Sequence, residues 1–241
     1  MSRYVILISL IMAKLYLIPN ILSEQAKGDT VAAYIAGVIK DIRVFFVEEP
    51  KSARALLKKI APDFPLSECI YIDLNEHTAL ADIEGHLKEQ GQKDMAIISE
   101  AGYPCVADPG ASLVRLIHQA GGQVIPLAGA SSIILALAAS GLNGQNFAFN
   151  GYLPKDKDER VKKIRVLEQR SMNEGQTQIV MEAPYRSQSL LEDLLASCQP
   201  RTLLCVACDV TGADQMIRTQ SIAQWKKQAV TLLKKPTLFL F

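Results

Sequence analysis

The chain has 241 residues, a net charge of +1, a hydrophobic fraction of 49% and a charged fraction of 21%. This length can bury one large core or two smaller ones, and the near-neutral charge excludes a protein whose whole surface attracts nucleic acid. Five cysteines in a chain of this length indicate free thiols in a reducing cytoplasm rather than an extracellular disulfide framework.

The chain begins with an apolar run, Tyr4–Met12, that has one arginine before it. The run is too short to span a bilayer, and no small-x-small cleavage site follows it. We therefore expect residues 1–12 to be an extension, either an extra strand or a disordered tail. The first predicted strand is Leu15–Pro19.

Strands and helices then alternate. The patterns predict helices at Val31–Ile39, Lys51–Ile60 and Ala79–Glu89, and strands at Arg43–Val47 and Ile70–Leu74.

Two acidic residues, Glu48 and Glu49, follow the strand that ends at Val47. They are candidates for acid–base chemistry, although neighbouring side chains on an extended chain point in different directions. The alternative is that they stabilise the N-terminus of the next helix.

The stretch Met95–Leu116 dominates the middle of the chain. Its apolar start, Met95–Ile98, predicts a buried strand, and a loop rich in glycine and proline leads from it into a helix. Ligands bind at this kind of strand end in open α/β sheets. The loop has no lysine or arginine, so it is not built as a phosphate cradle, and the alternative is a tight turn without a ligand.

The second half of the chain continues the α/β pattern. The remaining predicted elements are strands at Gln123–Leu127, Phe147–Pro154, Thr177–Met181, Arg201–Val210 and Leu238–Phe241, and helices at Ile133–Ser140 and Ser221–Ala229.

Residues 155–170 carry seven Lys/Arg against four Asp/Glu. This segment is either a solvated helix face or a local contact for RNA phosphates.

Two further patterns are interpreted as structural. Cys205 and Cys208 form a C-x-x-C inside a predicted strand, where a redox role is not expected. The histidines at 77, 86 and 118 lie on different elements without ligand spacing, so we expect no metal site.

The segment ISEAGYPCVADPGASLVR, residues 98–115, resembles the glycine loop of the tetrapyrrole methylase superfamily, particularly its branch of small-subunit ribosomal RNA methyltransferases. Glu100 and Tyr103 stand where that branch usually has Asp and Thr. Residues 124–142, 147–154, 181–194 and 209–212 resemble further motifs of the family. The chain departs from the family at Pro19–Ser23, where a glycine-containing loop is shortened, and at Gly212, where lysine is usual.

The resemblance implies two α/β domains of the tetrapyrrole methylase type with the cofactor cleft between them. The expected limits are residues 1–12 for the extension, 13–126 for the N-terminal domain and 127–241 for the C-terminal domain. The implied cofactor is S-adenosylmethionine. Its implied contacts are Ser99, Glu100, Ala101, Gly102, Tyr103, Pro104, Ala128, Gly129, Ser131, Ser132, Met181 and Thr211.

The same resemblance implies ribose 2′-O-methylation of small-subunit ribosomal RNA by a cytoplasmic homodimer that has no membrane contact and no metal. A small-molecule, tetrapyrrole-like methylase and a degenerate S-adenosylmethionine-binding protein without transfer activity are the alternatives. The candidate bases are Glu48, Glu49 and Glu182. The candidate RNA contacts are Lys155, Lys157, Lys162, Lys163, Arg165 and Arg186.

Overall fold

The computed structural model describes residues 13–23, 25–26 and 30–241, so the predicted extension, residues 1–12, lies outside the described residues. Contacts divide these residues into two compact units. The first contains residues 13–22 and 30–130, and the second contains residues 131–241 with residues 23, 25 and 26. Each unit has its own sheet and helices, which confirms the predicted α/β fold class.

The first unit is built on a five-stranded sheet with the order β3-β2-β4-β1-β5. All of its strand pairs are parallel, so the carboxyl ends of the strands lie along one edge. The strands are β1 (Lys14–Ile18), β2 (Val44–Val47), β3 (Ile70–Asp73), β4 (Met95–Ile98) and β5 (Gln123–Pro126).

Helices cover both faces of this sheet, as a parallel sheet requires. Side chains alternate across β2, so Phe45 packs in one core and Phe46 in the other. The helices are α1 (Ile35–Ile39), α2 (Pro50–Ile60), α3 (Leu80–Gln90) and α4 (Ala111–Gln119), with a 3₁₀ turn at Leu66–Glu68.

The second unit has a mixed sheet with the order β6-β7-β10-β8-β9. Only β6 and β7 pair in parallel, and the other pairs are antiparallel. The strands are β6 (Phe147–Tyr152), β7 (Thr177–Glu182), β8 (Leu203–Cys208), β9 (Met216–Ser221) and β10 (Thr237–Leu240).

One core of this unit contains Trp225 and Phe239, both fully buried. The indole N–H of Trp225 donates to the Leu204 carbonyl at 2.9 Å, so its only polar group is satisfied. The helices are α5 (Ser132–Ser140), α6 (Lys157–Glu174), α7 (Ser187–Ser197) and α8 (Ile222–Trp225).

Two predicted helices are shorter than expected. The first begins at Ile35 rather than Val31, because Val31 forms an isolated antiparallel bridge with Gly129. The last begins after Ser221, whose hydroxyl and backbone form a capping box with Gln224, and it ends at Trp225. Strand β9 was missed because its sequence, MIRTQS, has little apolar alternation.

Cys205 and Cys208 lie in β8, as the sequence predicts, and all five cysteines are free thiols. Within the part of the chain that the structure describes, no helix combines the length and apolar character needed to cross a bilayer.

Candidate functional site

The loop between β4 and α4, residues 99–110, has an unusual backbone. Gly102 and Gly110 have positive φ values of 71° and 126°, and Cys105 and Ala107 have values of 66° and 63°. Non-glycine residues rarely adopt this conformation, and such residues are concentrated at functional sites. A Cβ at Gly110 would lie 2.6 Å from the Cys105 sulfur, so the loop folds back tightly on itself at the start of α4.

Asn20, two residues after the end of β1, holds the first part of this loop. Its buried side-chain amide donates to the carbonyls of Ser99 at 2.8 Å and Glu100 at 3.1 Å. Its backbone N–H donates to the Gly102 carbonyl at 2.8 Å, and its side-chain oxygen accepts from the Ile21 N–H. Both donor protons of the Asn20 amide are therefore used to fix the course of the loop.

The neighbouring residue, Pro19, lies against Gly129, in the segment between β5 and α5 that contains the predicted cofactor contacts Ala128 and Gly129. A Cβ at Gly129 would lie 2.1 Å from the Pro19 Cγ, so only glycine permits this approach. The Tyr103 hydroxyl donates to the Leu127 carbonyl at 2.8 Å. The structure thus brings Ala128 and Gly129 to the same edge of the first unit as Ser99–Pro104.

The carboxylates of Glu48, Glu100 and Asp108 lie close enough for their charges to interact where β2 and β4 end. Burial, followed by the charges of Glu48 and Glu100, raises the pKa of Asp108 from 3.8 to about 6. Burial, followed by the charges of Glu100 and Glu76, raises the pKa of Glu48. The Ser52 hydroxyl contacts the Glu100 carboxylate. Glu48 lies beside Ser99, because Val47 and Ile98, which precede them, are aligned in the sheet.

The other two candidate bases have structural partners. Glu49 is the N-cap of α2, and its carboxylate accepts from the Lys51 N–H at 3.0 Å. Glu182 is 1% exposed, accepts from the Ala183 N–H at 2.8 Å and forms an ion pair with Arg186 at 2.8 Å.

The basic residues around α6 divide into two groups. Arg160 is buried, and its guanidinium pairs with Asp193 at 2.6 Å and donates to the carbonyls of Pro154 and Lys155. Arg186 is also engaged, since it donates to the Pro154 carbonyl as well as pairing with Glu182. The candidate RNA contacts whose side chains are exposed are Lys155, Lys157, Lys162, Lys163 and Arg165.

The turn after β8 contains the predicted cofactor contact Thr211. Asp209 and Thr211 have positive φ values of 50° and 71°, and the Thr211 hydroxyl is buried without a hydrogen-bond partner among the described residues. A Cβ at Gly212 would lie 2.0 Å from the Asp209 carboxylate. Glycine at position 212, where the family usually has lysine, therefore leaves the space that the Asp209 carboxylate occupies.

The remaining predicted contacts lie in the second unit. Met181 is half-buried in β7 and is aligned with Tyr152 of β6 and Leu238 of β10. Ser131 occupies the N-cap position of α5, which starts at Ser132, but its side chain accepts no capping hydrogen bond.

Sequence reasoning missed Asn20 and Asp108 as contributors to the site. Asn20 is a single polar residue directly after an apolar strand, and this is the signal that could have found it. Asp108 gave no such signal, because its raised pKa depends on burial in the folded loop and on the charges of Glu48, far earlier in the sequence, and of Glu100 in the same loop. Among the described residues, no group of three or more side chains could hold a metal ion.

A parallel α/β unit whose loops meet at one strand edge, followed by a mixed-sheet unit, is consistent with a class of cofactor-dependent methylases. The chain belongs to the tetrapyrrole (corrin/porphyrin) methylase family, whose pattern matches residues 28–225. This match confirms the family predicted from the glycine loop.

Within the family, the chain is similar to ribosomal RNA small subunit methyltransferase I of two bacteria. It is 29% identical to the Pseudomonas aeruginosa protein over 197 residues, which cover 81% of this chain and 67% of that protein. It is 31% identical to the Bacillus subtilis protein over 180 residues, which cover 75% of this chain and 58% of that protein. The chain thus spans about two thirds or less of the length of these relatives.

Among solved structures, the chain is similar to uroporphyrin-III C-methyl transferase from Thermus thermophilus complexed with S-adenosyl homocysteine. The TM-score is 0.53 at 14% identity, and the match covers 95% of this chain and 97% of that chain. At this identity the likeness shows the fold.

Proposed function

We propose that the protein transfers a methyl group from S-adenosylmethionine to a ribose 2′-hydroxyl of small-subunit ribosomal RNA. The observation that carries the proposal is the loop at residues 99–110, which Asn20 holds at the carboxyl edge of a parallel sheet. Membership of a methylase family and the names of the similar bacterial proteins support the reaction and the acceptor.

The residues at this edge fit S-adenosylmethionine chemically. Among the described residues, the N–H groups of Ala101 and Tyr103 donate to no protein acceptor, and we propose that both donate to the cofactor. The carboxylates of Glu48, Glu100 and Asp108 give the edge a negative charge that suits a sulfonium. The proposed cofactor contacts remain Ser99, Glu100, Ala101, Gly102, Tyr103, Pro104, Ala128, Gly129, Ser131, Ser132, Met181 and Thr211.

The bound cofactor supplies an activated methyl group, so the protein mainly has to align the acceptor with it. Glu48 is the favoured base for the acceptor hydroxyl proton, because it lies beside Ser99 of the loop, and partial burial and nearby carboxylates raise its pKa. Glu49 is used to cap α2 and Glu182 is paired with Arg186, so neither is as available to accept a proton.

The choice of base is tested by Glu48→Gln, with Glu49→Gln as the matched control. We expect Glu48→Gln to lower kcat at saturating cofactor by about a hundredfold, whereas Glu49→Gln should leave kcat near that of the parent. Equal losses of kcat in the two variants would contradict the role of Glu48.

For RNA binding, we propose that the exposed cations near the start of α6 contact phosphates. Net charge is only +1, so the attraction has to come from a local patch. Arg186 contributes mainly through the turn that it holds, since its guanidinium already pairs with Glu182 and the Pro154 carbonyl. The proposed patch is Lys155, Lys157, Lys162, Lys163 and Arg165, supported by Arg186.

We further propose that the protein works in the cytoplasm, where ribosomal subunits are assembled and where its five free thiols stay reduced. A homodimer is also proposed, on the resemblance to the family alone.

A second candidate is a small-molecule methylase. The near-neutral charge and the description of the family, tetrapyrrole (corrin/porphyrin) methylases, favour it. A third is a cofactor-binding protein without transfer activity, which the shortened loop at Pro19–Ser23 favours.

The experiment is transfer of labelled methyl groups from S-adenosylmethionine to small subunits purified from cells that lack this protein, followed by mapping of the modified nucleotide. We expect transfer to one ribose, and RNA affinity that falls with salt. Lys162→Glu with Lys163→Glu should weaken RNA binding and flatten this salt dependence, whereas the control pair Lys226→Glu and Lys227→Glu should not.

Transfer to a tetrapyrrole but not to RNA would replace the proposal with the second candidate. Cofactor binding without transfer to either acceptor would favour the third.

A further inference from the structure

One exposed aromatic residue stands out in the second unit. Tyr185, three residues after β7, is 75% exposed, although tyrosine normally buries much of its ring. Single exposed hydrophobic residues are common and need no explanation. Tyr185 differs because the backbone that presents it is extensively hydrogen-bonded.

The turn that carries Tyr185 is fixed from both sides. The Ala183 N–H donates to the buried Glu182 carboxylate at 2.8 Å. The Ala183 carbonyl accepts from the N–H of Arg186 at 2.9 Å, and from both the N–H and the hydroxyl of Ser187. An aromatic ring on such a turn loses little backbone entropy when a ligand contacts it.

The Glu182–Arg186 ion pair ties this turn to the segment before α6. Arg186, paired with Glu182, donates to the carbonyls of Leu153 and Pro154 at 3.3 and 3.4 Å. Arg160 donates to the carbonyls of Pro154 and Lys155 at 3.2 and 2.8 Å. Two guanidinium groups thus meet at the Pro154 carbonyl and fix the chain that carries the exposed Lys155.

The arrangement combines a rigidly presented aromatic face with a cation on an adjacent fixed segment. This is the chemistry that recognises unpaired nucleotides, in which a base stacks on an aromatic ring while a cation contacts the phosphate. A base inside a regular helix cannot stack on such a ring, because its faces are already covered by neighbouring bases.

We propose that Tyr185 is a stacking platform for an unpaired base of the RNA substrate, and that Lys155 contacts a phosphate next to that base. The Glu182–Arg186 ion pair positions the turn that carries Tyr185. The proposal rests on the proposed function, since it assumes that RNA is the acceptor, and it names the feature of the RNA that is read.

The test measures the affinity for small-subunit RNA of the full chain and of three full-length variants, Tyr185→Phe, Tyr185→Trp and Tyr185→Ala. We expect the Ala variant to bind about tenfold or more weakly, because it loses the stacking contact with the base, and the Phe and Trp variants to bind like the parent. Cofactor affinity and the slope of RNA affinity against salt should be unchanged in all of them, because stacking releases no counterions. Phe147→Ala is the control, since Phe147 is an exposed aromatic at the opposite end of β6 from Tyr152.

A second measurement identifies the stacked base. In the mapped target segment, single nucleotides are replaced one at a time by abasic ones. One replacement should weaken binding to the parent and leave binding to Tyr185→Ala unaffected. If the parent binds RNA and Tyr185→Ala binds it equally well, the platform is rejected while the proposed function stands. If the parent binds no RNA, the proposed function fails as well.

Discussion

The loop after β4 and the turn after β8 both place non-glycine residues at positive φ, but they are held in different ways. The loop depends on Asn20, which lies 79 residues from Ser99 in the sequence and donates to two of its carbonyls. The turn is held mainly by short-range bonds, since the Asp209 carboxylate accepts from the Asp214 N–H at 3.1 Å and packs against Gly212. Its ties to a distant segment are the Asp209 N–H, which donates to the Pro236 carbonyl at 3.0 Å, and the Asp209–Lys235 ion pair at 4.0 Å. The loop therefore requires the assembled parallel sheet, whereas most hydrogen bonds of the turn close within residues 209–215.

The largest effect on stability is expected where glycine permits a close approach to a rigid group. Gly129→Ala should destabilise the protein by about 3 kcal/mol, because the added Cβ would lie 2.1 Å from the Pro19 ring. Gly144→Ala is the matched control, since nothing lies within 4 Å of its Cβ position. Denaturation in urea measures both, and equal midpoints would contradict the packing of Pro19 on Gly129.

The local turn should respond differently to the same kind of change. Gly212→Ala should cost about 2 kcal/mol, and adding Asp209→Ala should recover part of that loss by removing the carboxylate that meets the new Cβ. Pro19→Ala should not rescue Gly129→Ala in this way, because the Cβ of residue 19 would still lie 2.4 Å away. Rescue of both glycine variants would remove the distinction between the two regions.

Asn20→Ala tests the clamp, by which we mean the two long-range hydrogen bonds that the Asn20 amide donates to the carbonyls of Ser99 and Glu100. Two carbonyls lose their donor, so we expect a loss of about 2 kcal/mol in stability, together with weaker binding of S-adenosylmethionine. Asn75→Ala is the comparison, since among the described residues the Asn75 side chain bonds only to the nearby His77 N–H, from which it accepts. A variant of Asn20 that is less stable but binds the cofactor with parental affinity would show that the clamp serves the fold alone.

The smallest effect concerns Asp108. Its pKa is raised from 3.8 to about 6, so the folded state binds more protons than the unfolded state between these values, and stability falls as pH rises through this window. Asp108→Asn should therefore stabilise the protein at pH 7 by about 1 kcal/mol, after discounting for solvent screening. The difference should vanish below about pH 4. A thermal melt series across pH measures it, and a less stable variant at pH 7 would contradict the sign.

The two regions also show how much of the fold and of the site can be predicted from the sequence. Strand β4, the glycine positions of the loop and the family were predicted, because apolar runs, glycines and motifs are local signals. The clamp by Asn20 was not predicted, since it exists only once β1 pairs with β4 in the parallel sheet. The carboxylate group at Glu48, Glu100 and Asp108 was missed as a unit for the same reason, because Glu48 follows β2 and reaches the other two, in the loop after β4, only in the folded sheet.

In the second unit, the polar strand β9 escaped prediction because its alternation is weak, and the environment of Arg186 could not be derived from its motif. The sequence indicates a basic side chain, but only the fold shows that it pairs with the buried Glu182.

The central claim is that the loop at residues 99–110 binds S-adenosylmethionine, and calorimetry with Gly102→Val tests it most directly. Gly121→Val is the matched control. Its φ of 75° resembles the 71° of Gly102, so both variants carry similar backbone strain, but nothing lies within 4 Å of the Gly121 Cβ position. We predict saturable binding of S-adenosylmethionine and S-adenosylhomocysteine to the parent and to Gly121→Val, and its loss in a Gly102→Val variant that still melts cooperatively. Binding of parental affinity in folded Gly102→Val, or no binding to the parent at millimolar cofactor, would contradict the claim.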